Sequence, residues 1–196
     1  MNFLAHAHLS GNDEDIMFGN LIADSVKGDA SQKYTGNILK GITLHRLIDT
    51  FTDNHPVHKR SRDLVREDYG KYSGIVVDLF YDHFLAANWS HFSDEHLKSF
   101  TARIYRMLTK RFFMLPPRTK RILPFMIGQD WLANYANFPG MENILYGMDK
   151  RTAFRSGMKD AVAVLQQHYT VLESDFFEFY GALSDYVKEV GYQPIS

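Results

Sequence analysis

The chain of 196 residues contains no cysteine. That excludes disulfides, thiolate-ligated zinc, iron–sulfur clusters and a thiol nucleophile, and it agrees with a reducing compartment. Proline is scarce: six residues, at 56, 116, 117, 124, 139 and 194, each read as a place where a helix starts or stops. Net charge is also nearly missing. With 22 basic and 23 acidic residues the formal charge is -1, so no global field of one sign favours nucleic acid. No segment reaches the roughly 20 apolar residues of a membrane-spanning helix. The most apolar stretch, Gly74 to Leu85, is interrupted by Asp78, Asp82 and His83. The first eight residues lack the basic region and apolar run of a secretory signal, so a cytoplasmic location is expected. No phosphate-binding glycine loop, dinucleotide fingerprint, H-E-x-x-H or G-x-S-x-G motif occurs.

Apolar material is plentiful. Hydrophobic residues make up 45% of the chain, with 15 Phe, 11 Tyr and 2 Trp, enough to bury a core and offset the ordering entropy. No run of five residues alternates in the β manner, whereas helical stripes recur. The expectation is an all-α fold in one domain spanning 1–196. Helices are expected near 13–27, 35–53, 56–68, 71–89, 94–113, 117–129, 140–148 and 151–189, the last broken near His168 or Gly181. Asp94 suits an N-cap, and Pro56 and Pro117 suit first turns.

The chemistry-bearing residues cluster in the first half. In 41–56 the apolar residues 44, 47, 48 and 51 form one helical stripe and His45, Asp49 and Asp53 another, each one turn from the next. That is the spacing of metal ligands and also of an exposed His–Asp pair. Around Asp78 and Asp82 nearly every neighbour is apolar, so both carboxylates need cations, strong donors or a metal. Arg46, Arg60 or Arg62 would meet that need as ion-pair partners. Asp24 lies on a largely apolar helix, and His6 and His8 share a side only if the backbone there is extended. Imidazole and carboxylate without thiolate suit a catalytic Mn²⁺, Mg²⁺, Fe²⁺ or Zn²⁺ better than a structural zinc. Such sites hydrolyse phosphate esters by lowering the pKa of bound water.

Charge is uneven along the chain. Between Lys98 and Gln129 there are eight basic residues and no acid, while the last segment carries Glu173, Asp175, Glu178, Asp185 and Glu189. Either the two faces pair or the basic one docks an acidic partner or phosphate groups.

Five segments together resemble the bacterial acyl carrier protein phosphodiesterases: Met1 to His6, Gly19-Asn20-Leu21-Ile22-Ala23-Asp24, Leu44-His45-Arg46 through His55-Pro56, Asp78 to Leu85, and Gln129 to Leu132 with Gly140 to Met148. The resemblance runs nearly end to end. It implies hydrolysis of the phosphodiester joining 4′-phosphopantetheine to a serine of holo-acyl carrier protein, a divalent cation that is typically Mn²⁺, and a distant relation to helical HD-type phosphohydrolases. It implies a site in which Asp24, His45, Asp49, Asp78, Asp82 and His6 hold the metal, with Asp82 and His83 near the reacting groups. His83 is taken as the acid and Arg46 as the stabiliser of transition-state charge. No His-Asp dipeptide occurs, the adjacent pair being Asp82-His83. The implied substrate is a small acidic helical protein, so Arg103, Arg106, Lys110 and Arg111 are expected to dock it, with Trp131, Tyr135, Phe138 and 140–148 lining a slot for the pantetheine arm. A hydrolase of nucleotides or other small phosphate esters, and a non-catalytic module binding an acidic protein, are the alternatives. The sequence leaves the oligomeric state open.

Overall fold

The computed structural model describes residues 2–29 and 32–195, and among them there is no strand. The order is α1 (Phe3–Leu9), α2 (Glu14–Ile22), α3 (Gly36–Asn54), α4 (Pro56–Leu64), α5 (Arg66–Tyr69), α6 (Ser73–Ala87), α7 (Leu97–Lys110), α8 (Pro117–Gly128), α9 (Trp131–Asn134), α10 (Phe138–Arg151), α11 (Ala161–Gln167) and α12 (Tyr169–Glu189). One apolar cluster runs through the molecule from Leu4 to Ile195. The all-α expectation holds. Pro56 and Pro117 open α4 and α8, whereas Pro124 lies inside α8 rather than at an end.

Helix α1 was not foreseen. Residues 4–9 are all buried, so its amino-terminal N–H groups have no access to water and need acceptors inside the protein. Asp82 supplies them, accepting from the backbone N–H of Leu4 at 2.9 Å and of Asn2 and Ala5 at 3.3 Å. A buried carboxylate on α6 thus caps α1 from beneath. Helical rather than extended backbone also sends His6 and His8 in different directions. His8 donates from Nε2 to the Phe92 carbonyl (3.0 Å) and accepts at Nδ1 from the Tyr180 hydroxyl (2.8 Å).

Helices α2 and α3 cross at two glycines. A Cβ on Gly19 would lie 2.0 Å from the Ile38 carbonyl oxygen, and one on Gly41 2.0 Å from that of Ile16. Only hydrogen at both positions lets the backbones approach this closely. The crossing sets Asn20 of α2 against His45 of α3.

The expected helix over 151–189 is three pieces. Buried Asp149 accepts from the Ser156 hydroxyl at 2.6 Å, its carbonyl accepts from Phe154 N–H at 2.9 Å, and Ala153, Phe154 and Gly157 take positive φ. This turn stops α10. The later break falls at His168, as expected, and α12 then presents Phe176, Phe179, Tyr180, Leu183 and Val187 to the core. Helix α7 starts at Leu97 with His96 at its N-cap, so Asp94 does not cap it.

Candidate functional site

Two helices, α1 and α3, bring His6, His45 and Asp49 together. One ligand atom from each lies within 4.8 Å of the others. The two imidazoles stack, ring centroids 4.2 Å apart and planes 21° from parallel. Asp49 faces both, with Oδ2 3.0 Å from His45 Nε2 and Oδ1 3.4 Å from His6 Nε2. Asp24, in the short turn 23–25 after α2, places Oδ1 3.1 Å from His45 Nε2.

Fully buried Asn20 fixes the orientation of the cluster. Its amide Nδ2 donates to the His6 carbonyl (3.0 Å) and to the Ser10 hydroxyl (2.9 Å), so its Oδ1 must face the rings. That oxygen accepts from Nδ1 of His6 at 2.8 Å and from Nδ1 of His45 at 3.2 Å. Both Nδ1 atoms therefore carry protons, and both Nε2 atoms point at the carboxylates. The sequence by itself gives Asn20 no role, because an amide between apolar residues carries no periodic signal.

Protonation in this cluster follows from burial and mutual charge. Burial works against charge on His45, but the hydrogen bonds it donates to Asp24 and Asp49 prevail and raise it to about 9. Burial and the neighbouring His45 charge lower His6. Although burial favours the acid form, the two imidazoles hold Asp49 well below the usual carboxylate range, and the hydrogen bond from His45 lowers Asp24. With His45 charged and His6 neutral, His6 Nε2 is left as a buried lone pair. It has no hydrogen-bond partner among the described residues, though a carboxylate oxygen lies 3.4 Å away. Two acceptors facing each other in this way suit a cation between them, and the donor set of imidazole and carboxylate suits Mn²⁺, Fe²⁺ or Zn²⁺. The fit is reinforced by a cavity of about 20 Å³ lined by His6, Asn20, Asp24 and His45, room for one ion.

Asp24 also lines two larger clefts. One, of about 190 Å³, runs over Phe3, Asp78, Trp131, Tyr135, Met148 and Arg151. The other, of about 600 Å³, opens between residues 24–27 and 33–34 and the start of α8. Asp78 is a quarter exposed there, and its Oδ1 lies 3.0 Å from Nε2 of buried His58. Burial alone would raise its pKa; interactions that include the hydrogen bond with His58 hold it at about 2.

Several other expected site residues lie elsewhere. Asp82, directed at the α1 amides, is outside the His6–His45–Asp49 cluster; burial pushes it up to about 7 against those three donors. His83 donates from Nδ1 to the Tyr135 carbonyl at 2.7 Å and stacks on Phe138, so neither reaches the clefts. Burial lowers the His83 pKa. Arg46 and Asp53 are exposed on α3 and line none of the three cavities. The need of Asp78 and Asp82 for partners was legible; the partners are a histidine and backbone amides rather than Arg46, Arg60 or Arg62. Arg60 instead pairs with Asp175 and Glu178.

The basic stretch of α7 and the residue after it are partly engaged within the chain. Arg103 pairs with Glu95 at 2.8 Å, and Arg111 pairs with Asp15 and Glu14, while Arg106 and Lys110 are exposed. Neither Arg103 nor Arg111 pairs with the acidic face of α12. Trp131 and Tyr135 line the narrower cleft together with Ile144 and Met148, whereas Phe138 does not.

Two buried imidazoles and Asp49 form a group that could hold a metal ion in an all-helical protein, beside a small cavity that His6, His45 and Asp24 line and next to two clefts that share Asp24. Comparison gives the particular family: residues 1–183 match the acyl carrier protein phosphodiesterases, and the chain belongs to that family. It is 34% identical over 181 residues to the acyl carrier protein phosphodiesterase of Shigella boydii, covering 92% of this chain and 94% of that protein. The protein of the same name from Serratia proteamaculans is 31% identical over 190 residues, covering 96% and 98%. That from Escherichia coli O157:H7 is 33% identical over 181 residues, covering 92% and 94%. No solved structure matches the chain. No helix among the described residues is long and apolar enough to cross a membrane.

Proposed function

We propose that this protein hydrolyses the phosphodiester between 4′-phosphopantetheine and the serine of holo-acyl carrier protein, using a divalent cation held by His6, His45 and Asp49. The observation that carries the metal reading is the buried, unpartnered Nε2 of His6 facing a carboxylate oxygen. The family name carries the substrate. Once bound, the cation, taken as Mn²⁺, supplies Lewis acidity and a water whose pKa is lowered toward neutrality.

The protein's own side chains do the rest. Asn20 keeps both imidazoles with Nε2 turned to the cavity, so both rings serve as ligands only after His45 gives up its Nε2 proton. Asp24 is the exposed carboxylate of the cluster and lines all three cavities, which places it to orient the attacking water and take its proton. Arg151, whose guanidinium lies 5.1 Å from the Trp131 ring in the narrower cleft, stabilises the phosphoryl oxygens. The apolar wall of Trp131, Tyr135, Ile144 and Met148 receives the pantetheine arm. The relation to HD-type phosphohydrolases, and a cytoplasmic site of action on a cytoplasmic substrate, are parts of the same proposal.

The test is mass spectrometry of holo-acyl carrier protein incubated with the enzyme and Mn²⁺, with and without chelator. Metal-dependent loss of the phosphopantetheine mass supports the proposal. Unchanged carrier protein alongside turnover of free nucleotides would move the chain to the small-ester reading.

A further inference from the structure

Resting on that reading of the substrate, we infer that the carrier protein docks on the wide cleft between residues 24–27 and 33–34 and the start of α8, through Lys27, Lys33, Arg118 and Arg121, and not on α7. Four cations and one acid, Asp24, line this cleft. None of the four is in an ion pair among the described residues, in contrast to Arg103 and Arg111. Cations left without internal partners around a concave surface select an acidic partner and speed its encounter.

Position supports the same assignment. Asp24 belongs both to this cleft and to the cavity beside His6 and His45, so a partner seated here presents its phosphodiester at the cluster. Asp24 also lines the narrower cleft, which is assigned to the arm. Protein and prosthetic group thus meet at the same carboxylate.

The cleft wall is held in place from both sides. The Tyr34 hydroxyl donates to the Met114 carbonyl at 3.1 Å, and the Thr119 hydroxyl donates to Ser25 at 3.0 Å. Just ahead of that wall, in the turn between α7 and α8, Phe113 is 92% exposed. A large apolar side chain standing free beside a cationic rim is the usual composition of an interface anchor.

The test is the affinity of apo-acyl carrier protein, which has no phosphodiester to cleave, across ionic strength. Lys33→Glu with Arg121→Glu should weaken binding by about tenfold or more at low salt, the difference shrinking as salt screens it. Phe113→Ser should weaken it at all salt concentrations. Arg106→Glu with Lys110→Glu should stay within about twofold of the parent. Unchanged melting temperatures serve as the folding control, and Lys33→Gln with Arg121→Gln replaces the reversal if it misfolds. Loss of affinity in the α7 pair, with none in the cleft variants, overturns the assignment. Failure of the hydrolytic reading shows itself separately, as apo-protein binding without cleavage of the holo form.

Discussion

Replacing Asn20 by leucine tests how the site is oriented. The side chain makes four hydrogen bonds: two accepted from His6 and His45, two donated to the His6 carbonyl and Ser10. Each buried bond contributes about 1 kcal/mol net, and leucine regains part of the loss by apolar burial, so Asn20→Leu should cost about 3 kcal/mol. For a domain of this size that lowers Tm by on the order of 10 °C. The metal effect is separate. Without the shared acceptor the two rings lose their fixed tautomer, and loss of such an outer partner weakens metal affinity by about 10–100-fold. Asn20→Asp keeps an acceptor in the same place, so it should lose stability yet hold Mn²⁺ better than the leucine variant. Mn²⁺ titration calorimetry, at a temperature where all variants are folded, reads the affinity. If Asn20→Leu binds Mn²⁺ as tightly as the parent, the tautomer argument is wrong.

Four further outcomes are expected. Asp49→Asn should reduce Mn²⁺ affinity by ~100-fold, whereas Asp82→Asn should leave it intact and lower stability by about 1–3 kcal/mol, because Asp82 serves the α1 amides; metal titration beside urea unfolding separates the two. Gly41→Ala should destabilise by about 3 kcal/mol and weaken Mn²⁺ binding, since its Cβ would sit 2.0 Å from a backbone oxygen at the crossing that places Asn20; a parent-like urea midpoint would contradict this. Burial lowers His8 to about 4, against an unfolded value near 6.5, so the unfolded chain binds the extra proton and stability falls as pH drops from about 6.5 to 4, by roughly 3 kcal/mol. In His8→Phe that part of the acid slope should vanish from urea midpoints measured at several pH values. Arg151→Ala should lower kcat on holo-acyl carrier protein by about 100-fold with a smaller change in KM, as expected of a group acting on transition-state charge.

Local pattern was enough to establish a helical protein, the stops at Pro56 and His168, the one-turn spacing of His45 and Asp49, and the requirement that Asp78 and Asp82 find partners in apolar surroundings. These are consequences of spacing along one helix and of the cost of burying charge, which the chain carries in its own order of residues. Three things depended on contacts between segments far apart in sequence. His6 joined the cluster because α1 is a buried helix capped by Asp82, 78 residues from the Leu4 amide it serves. Asn20 acquired its role because two glycines let α2 and α3 touch. The basic residues sorted into paired and unpaired ones according to which acids the fold set beside them: Arg111 met Asp15 across 96 residues, while Arg121 pairs with none among the described residues. A single helix fixes the angle between its own side chains, but the distance from one helix to another is a property of packing, and metal ligation and docking are both decided by that distance.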